Sequence, residues 1–418
     1  MGGWPLKNNS DHLKSDIILL FSTRIIRLFA YGFLSVVLVL YLAEIGLSGY
    51  EIGLLLSLTL LGDVAVALWI TTVTDRTGRK RMLVLGALLM VGAGIVFVFT
   101  NSLAVLIIAA IVGVISPSGN EIGPFLPIEQ ASLSQLLPNE KRTHVFGWYN
   151  LVGSFATALG ALSSGWLAKS LLHLEFTPVD SYRVILIGYA ACGLVLVALF
   201  IGLSVAVETG TTPTAGHRLG LHRSRNVVIK LSALFSLDAF AGGFIVQSIL
   251  AYWFHIRFGV DVGILGSIFF GANILAGVSA LLAARLARHI GLVNTMVFTH
   301  IPSNVLLCLV PLMPNLVSAI TVLLLRFSIS QMDVPTRQSY TMAVVAPDER
   351  TAASGITSIA RSVGAALSPA LSCFFLAHPK FISVPFFLAG GLKIIYDVCL
   401  YRGFRTLKPP EEKTREHQ

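Results

Sequence analysis

Long apolar stretches separated by short polar ones run the whole length of this chain. Twelve of them reach the roughly 20 mostly apolar residues that a bilayer-crossing helix needs. They lie at roughly 17–43, 52–74, 82–100, 103–136, 143–168, 183–206, 229–254, 262–285, 292–311, 316–345, 351–377 and 382–402. The fourth and tenth are too long for one straight crossing. Both hold proline (Pro117, Pro124 and Pro127 in one, Pro335 in the other), so each is expected to kink or to extend beyond the bilayer. The first stretch does not read as a cleavable leader. Asp11 and Asp16 precede it, Arg24 and Arg27 interrupt it, and no small-residue cleavage site follows. Leu6 stands where a myristoylation signal at Gly2 would want Ser or Thr.

Composition narrows the class. Apolar residues are 55% of the 418 and charged ones 12%, about half the share of a soluble domain, and mean hydropathy is +0.79. That excludes a soluble multidomain protein, a collagen, a disulfide scaffold and a disordered chain. What remains is an all-α polytopic membrane protein. The net charge of +9 does not point to nucleic acid, because the basic residues are unevenly placed. If the amino terminus is cytoplasmic, 20 Lys and Arg fall on that side and 4 on the other, with six inside spans. The positive-inside bias therefore places both termini in the cytoplasm. Cys192, Cys308, Cys373 and Cys399 each lie in an apolar stretch and form no CxxC pair, so they read as small buried residues. No metal-ligand spacing, Walker A loop, GxGxxG or GxSxG motif is present, and the longest loop, 207–228, is too short for a nucleotide-driven domain. The expectation is no enzyme, no cofactor and no metal.

The polar, basic stretch 208–226 divides six spans from six, as a linker would. The expected organisation is a cytoplasmic tail 1–16, a six-helix bundle 17–206, a linker 207–228, a second bundle 229–402 and a tail 403–418. At an offset of 208, Pro127, Gln130, Arg142, Thr143 and Gly147 meet Pro335, Gln338, Arg350, Thr351 and Gly355. Those are five identities in 21 positions, where composition would give about one or two. Six spans per half in one orientation imply parallel repeats.

The loop after the second span reads Asp75-Arg76-Thr77-Gly78-Arg79-Lys80. Together with twelve spans, a basic central loop and the duplication, it resembles the major facilitator superfamily signature G-x-x-x-D-R-x-G-R-K, with Thr71 in place of the leading glycine. The resemblance implies two six-helix bundles and secondary transport by alternating access. It also implies a cytoplasmic gate around Asp75, Arg76, Gly78, Arg79 and Lys80, with Glu140, Arg142, Asp348, Glu349 and Arg350 as further members. On its own the loop reads as a tight Gly78 turn and a topology anchor against anionic lipid.

Charges inside the spans carry the most information. Each costs roughly 2.5–3.5 kcal/mol at the bilayer centre even on insertion scales, so they must pair or face water. Helical spacing gathers polar residues into stripes: Arg24, Arg27 and Tyr31 in span one; Asn150, Ser154, Thr157 and Ser164 in span five; Arg326, Ser330, Asp333, Arg337 and Tyr340 in span ten; Ser354, Ser358, Arg361 and Ser368 in span eleven. Four such stripes predict one shared central cavity for a small-molecule substrate. Its lining would be Arg27, Tyr31, Asn150, Ser154, Thr157, Arg326, Asp333, Arg337 and Arg361. Asp333–Arg337 and Lys393–Asp397 are spaced as i,i+4 ion pairs. Glu129 and Arg337 occupy equivalent places in the two halves and are expected to meet across the cavity. Asp238, alone on its helix, suits a proton carrier, with Asp63, Glu121 and Glu129 as rivals.

Proton-coupled drug exporters of the superfamily often carry G-P-x-x-G-G in span five, and here Gly160-Ala161-Leu162-Ser163-Ser164-Gly165 lacks the proline and one glycine. Small-residue packing accounts for the same stretch. The expected function is proton-coupled transport of a small organic solute, with export of drug-like molecules or metabolites as one form. The arginines make an organic-anion permease or uniporter the alternative. A non-transporting membrane sensor or assembly protein is the reading from another class. The expected setting is a bacterial inner membrane or a plasma membrane, with the chain working as a monomer.

Overall fold

A computed structural model describes residues 7–121, 123–137, 139–208, 223–346 and 349–407, with side chains for all of these but 7–13, Thr71, Asp75, Arg76, 139–144 and Thr351. Sixteen α-helices make up the described chain: α1 Lys7–Ser35, α2 Leu38–Glu44, α3 Gly49–Thr77, α4 Arg79–Phe99, α5 Leu103–Val112, α6 Phe125–Leu136, α7 Asn139–His173, α8 Pro178–Ile201, α9 Arg225–Gly243, α10 Gln247–Phe258, α11 Val262–Ile290, α12 Leu292–Leu309, α13 Leu316–Ser330, α14 Asp333–Val344, α15 Arg350–Leu376 and α16 Val384–Phe404. They form twelve crossings in two six-helix bundles, because α1–α2, α5–α6, α9–α10 and α13–α14 are each one crossing broken in the middle. The expected kinks in crossings four and ten are present. Crossings one and seven are broken as well, at Val36–Val37 and Phe244–Val246, where no proline marks the site.

The broken crossings are the first, fourth, seventh and tenth, the same two places in each half. A break frees backbone groups, which lipid cannot satisfy, so such segments must be enclosed by protein. The segment between α5 and α6 meets that demand. Tyr189 donates its hydroxyl to the Val114 carbonyl, Gly123 donates its amide to Asp63 (3.0 Å), and Ser248 of the other half donates its amide to the Pro117 carbonyl (3.1 Å).

Small residues let helices approach closely. A Cβ on Gly160 of α7 would collide with the Phe29 carbonyl of α1, and one on Gly165 would stand 2.5 Å from the Val262 carbonyl of α11. The first contact lies within a bundle and the second joins the two. The Gly160–Gly165 stretch thus serves packing.

One end of the molecule carries Arg79, Lys80, Arg223, Arg225, Arg288, Arg350 and Arg402 and is called the basic face here; the other is the distal face. Contacts between the bundles gather toward the distal face. Gly49 and Gly53 of α3 pack on Ala377 and Ala370, Gly165 packs on Gly266, the Ala370 amide donates to Ser57 (3.0 Å), Gln247 donates to Ser35 (2.8 Å), and Lys169 pairs with Asp261 (3.6 Å).

Candidate functional site

The four polar stripes separate into two kinds. On α7, exposure falls with distance from the basic face: Asn150 is exposed, Ser154 half-buried, Thr157 and Ser164 buried. On α15 it falls the same way, from exposed Ser354 and Ser358 through half-buried Arg361 to buried Ser368. Both stripes lose exposure toward the depth where the bundles touch. The other two stripes differ. Arg24, Arg27 and Tyr31 on α1, and Arg326, Ser330, Asp333, Arg337 and Tyr340 on α13–α14, are buried within their own bundles. The stripes of spans one and ten are thus enclosed by their own bundles, where Arg24, Arg27 and Arg337 pair with carboxylates, whereas those of spans five and eleven reach the surface toward the basic face.

The first network joins four elements. Arg27 grips Glu129 of α6 through two bonds of 2.6 Å and reaches Glu121 with its Nε at 2.8 Å. Arg24 donates to Glu121 (2.8 Å), to the Tyr149 carbonyl (2.8 Å) and to Asn150 (3.1 Å). Thr23 and the Tyr149 hydroxyl complete the shell of Glu129. Two guanidinium groups meet two carboxylates, and the Glu129 oxygens are fully engaged. Such a pair is stable where isolated charges would not be.

The second network centres on Asp238 of α9. Lys393 of α16 lies 2.5 Å from it, Arg337 of α14 and Arg361 of α15 each 3.1 Å, and His300 of α12 3.9 Å. Arg337 also holds Asp333 at 2.9 Å. His300 turns its Nδ1 to Asp397 at 2.9 Å, and Asn304 donates to the other Asp397 oxygen at 3.2 Å. The lone carboxylate expected at position 238 is thus ringed by three cations and the His300 imidazole, drawn from four neighbouring helices. The Lys393–Asp397 pair is also corrected, because Lys393 reaches Asp238 and Asp397 reaches His300. Glu129 and Arg337 do not meet; each is held inside its own bundle by a nearer partner. The i,i+4 pair Asp333–Arg337 is present as expected. Spacing could not show Asn304, Tyr149 and Thr23 as partners, since the residues they touch lie 20 to 106 positions away.

Arg361 differs from its neighbours in accessibility. Its side chain is 34% exposed, whereas those of Asp238, Arg337 and Lys393 are a tenth exposed or less. Arg326 is buried with its Nε unpartnered, its guanidinium 4.9 Å from the Phe327 ring centre. Asp63 keeps one buried oxygen without a partner while the other accepts from Gly123.

At the basic face, Gly78 takes φ +101°, a conformation that favours glycine, and turns the chain from α3 into α4. Glu208 accepts from the Arg79 and Lys80 amides (2.7 and 3.2 Å), and Lys80 reaches the Leu203 carbonyl (2.9 Å). Glu349 serves the start of α9 likewise, accepting from the Arg223 and Ser224 amides at 2.8 Å each. Arg350 is exposed. Asp348, and the side chains of Asp75, Arg76, Glu140 and Arg142, lie outside what is described.

Comparison with known proteins fits this architecture. An uncharacterized membrane protein of Saccharomyces cerevisiae, YJR124C, is 29% identical over 423 residues, covering 93% of this chain and 94% of that one. The quinolone resistance protein NorA of Staphylococcus aureus is 21% identical over 164 residues, 39% of this chain and 41% of its own. Among solved structures, a bacterial homologue of the human lysosomal transporter Spinster, in an inward-facing and occupied conformation, superposes with a TM-score of 0.73 at 15% identity, covering 97% of this chain and 98% of that one. The nucleoside transporter NupG superposes at 0.71 with 14% identity over 93% and 98% of the two chains, and a D-xylose–proton symporter at 0.69 with 14% identity over 92% and 97%. A family model described as Major Facilitator Superfamily matches residues 20–369. The chain belongs to that superfamily and is a membrane transporter rather than an enzyme.

Proposed function

We propose that this protein carries a small organic solute bearing an anionic group across the membrane by alternating access, with the site at the seam between the bundles and Arg361 as its anchor. The observation that carries this reading is the exposure of Arg361 alone among the charged groups around Asp238. A guanidinium that keeps donors free toward water offers a fork matched to carboxylate or phosphate. Asn150, Ser154, Ser354 and Ser358 supply polar contacts on either wall. The basic face is read as cytoplasmic from the positive-inside bias, so the seam opens inward. Rocking of the bundles would break the distal contacts and close the mouth. Transport is read as proton-coupled, and a single chain contains both bundles.

Export of drug-like compounds is the second reading, favoured by the local similarity to NorA. Uptake of a panel of labelled carboxylates, phosphate esters, nucleosides and lipophilic cations into proteoliposomes separates the two. The anion reading expects uptake of a panel anion that Arg361→Ala abolishes and Arg361→Lys weakens. Transport of lipophilic cations that Arg361→Ala leaves unchanged would favour the exporter.

A further inference from the structure

Asp397 is a buried carboxylate that no Lys or Arg in the described structure approaches within ion-pair distance. Its hydrogen-bond partners are His300 and Asn304. The opposite edge of the same imidazole, Nε2, points toward Asp238 Oδ1 at 3.9 Å, and that oxygen is also taken by Lys393. His300 therefore bridges two carboxylates, one without a fixed cation and one with three. Histidine is the side chain whose charge changes most readily near neutrality.

We infer that His300 and Asp397 form a proton-binding site, and that its proton and an anion held by Arg361 bind together. This rests on the proposed seam site and names its coupling partner. The charge count supplies the mechanism. Asp238, Asp333 and Asp397 face Arg337, Arg361 and Lys393, three against three, when His300 is neutral. Arg326, two turns from Asp333 along the same crossing, adds a charge that is the same in every state. Tyr396 of α16 stacks edge-on against the His300 ring. In neutral His300 the one ring hydrogen is donated from Nδ1 to Asp397, and an added proton goes to Nε2, directed at Asp238. Asp238 then has a fourth donor to satisfy. Its hold on Arg361, the accessible member of the set, is weakened, and the cluster gains one positive charge. An anion at Arg361 restores the balance. Empty-deprotonated and proton-plus-anion states carry equal net charge, one positive with Arg326 counted, whereas the proton alone raises it to two. Additional unmatched buried charge is strongly disfavoured, so the bundles do not carry the proton without the anion. Reciprocity follows: the proton raises anion affinity by the factor by which the anion raises proton affinity.

Two measurements test this without knowing the solute. Protein labelled with 15N-histidine in lipid nanodiscs is titrated by NMR, the His300 signal being the one missing in His300→Gln. The expected result is a pH-dependent change of the His300 signal that Asp397→Asn alters. A His300 signal that does not respond to pH, or that responds identically in Asp397→Asn, overturns the proposal. The second uses Cys373, which is buried against Gly53 at the distal contact and becomes reachable only when that face opens. In protein with Cys192, Cys308 and Cys399 replaced by serine, labelling by a membrane-impermeant methanethiosulfonate is compared with that of denatured protein at each pH. The relative rate should fall several-fold on acidification in wild type, because an empty protonated cluster resists closure of the mouth, and it should be flat in His300→Gln. Labelling that occurs but does not vary with pH defeats the coupling and leaves alternating access intact. A Cys373 that stays unreactive at every pH defeats the transport reading itself.

Discussion

Arg27 and Glu129 share two hydrogen bonds of 2.6 Å at a point where neither side chain reaches solvent. The pair ties α1 to α6, and Glu121 and Tyr149 extend it to the broken segment of crossing four and to α7. Removing one partner strands a charge in a low-dielectric interior, which costs about 3–5 kcal/mol. Arg27→Met and Glu129→Gln should each lower the unfolding temperature of purified protein sharply, by more than substitutions at exposed Arg350. Exchanging the charges of Glu129 and Arg337 should not rescue either single variant. Recovery in that exchange would mean the two residues meet in another state.

Gly160 and Gly165 should fail in different ways although they stand only five positions apart. A Cβ at 160 strikes the Phe29 backbone inside one bundle, so Gly160→Ala should reduce thermal stability and yield. A Cβ at 165 meets the Val262 carbonyl across the seam. Gly165→Ala should therefore keep most of its stability while the distal contact loosens, raising Cys373 reactivity. Equal losses of stability in both variants would contradict the division of the stretch between packing and gating.

The Gly78 turn depends on a carboxylate far away in sequence. Glu208 caps the start of α4 with bonds to two amides. A cap of this kind contributes on the order of 1 kcal/mol, with a similar contribution from a negative charge at a helix start. Glu208→Gln should cost less than Glu208→Ala, and both should be milder than Glu129→Gln when melting curves are compared. A neutral Glu208→Ala would show that the turn holds without its cap.

Much of the fold is legible because a bilayer imposes a length on apolar runs. The boundaries expected for α12 and α15 fall within two residues of those found for this reason. The duplication was readable at Arg142 and Arg350, and the breaks in crossings four and ten at their prolines. The breaks at Val36–Val37 and Phe244–Val246 carry no such mark; enclosure by neighbouring helices makes them possible, and that is a tertiary fact. The stripe residues of spans one and ten are buried inside their bundles. Periodicity cannot say whether a face meets water or a partner charge. Glu121 and Arg24 are 97 residues apart, Asp238 and Lys393 155. His300 had one local signal, an ionisable ring deep in an apolar run with Asn304 one turn later on the same face.

The central claim is that one seam, open at the basic face and shut at the distal face, exchanges those two conditions. Gly147 and Gly355 are equivalent positions beside the open mouth, and a Cβ at either meets nothing within 4 Å, so both accept a spin label. Lys169 and Asp261 face each other across the closed end. Distance distributions from electron–electron resonance on labels at 147/355 and, separately, at 169/261, recorded in nanodiscs across pH, test the claim most directly. The account predicts opposite changes, with the 147/355 distance shortening in the population where the 169/261 distance lengthens. Two distributions that stay fixed, or that widen and narrow together, would contradict it.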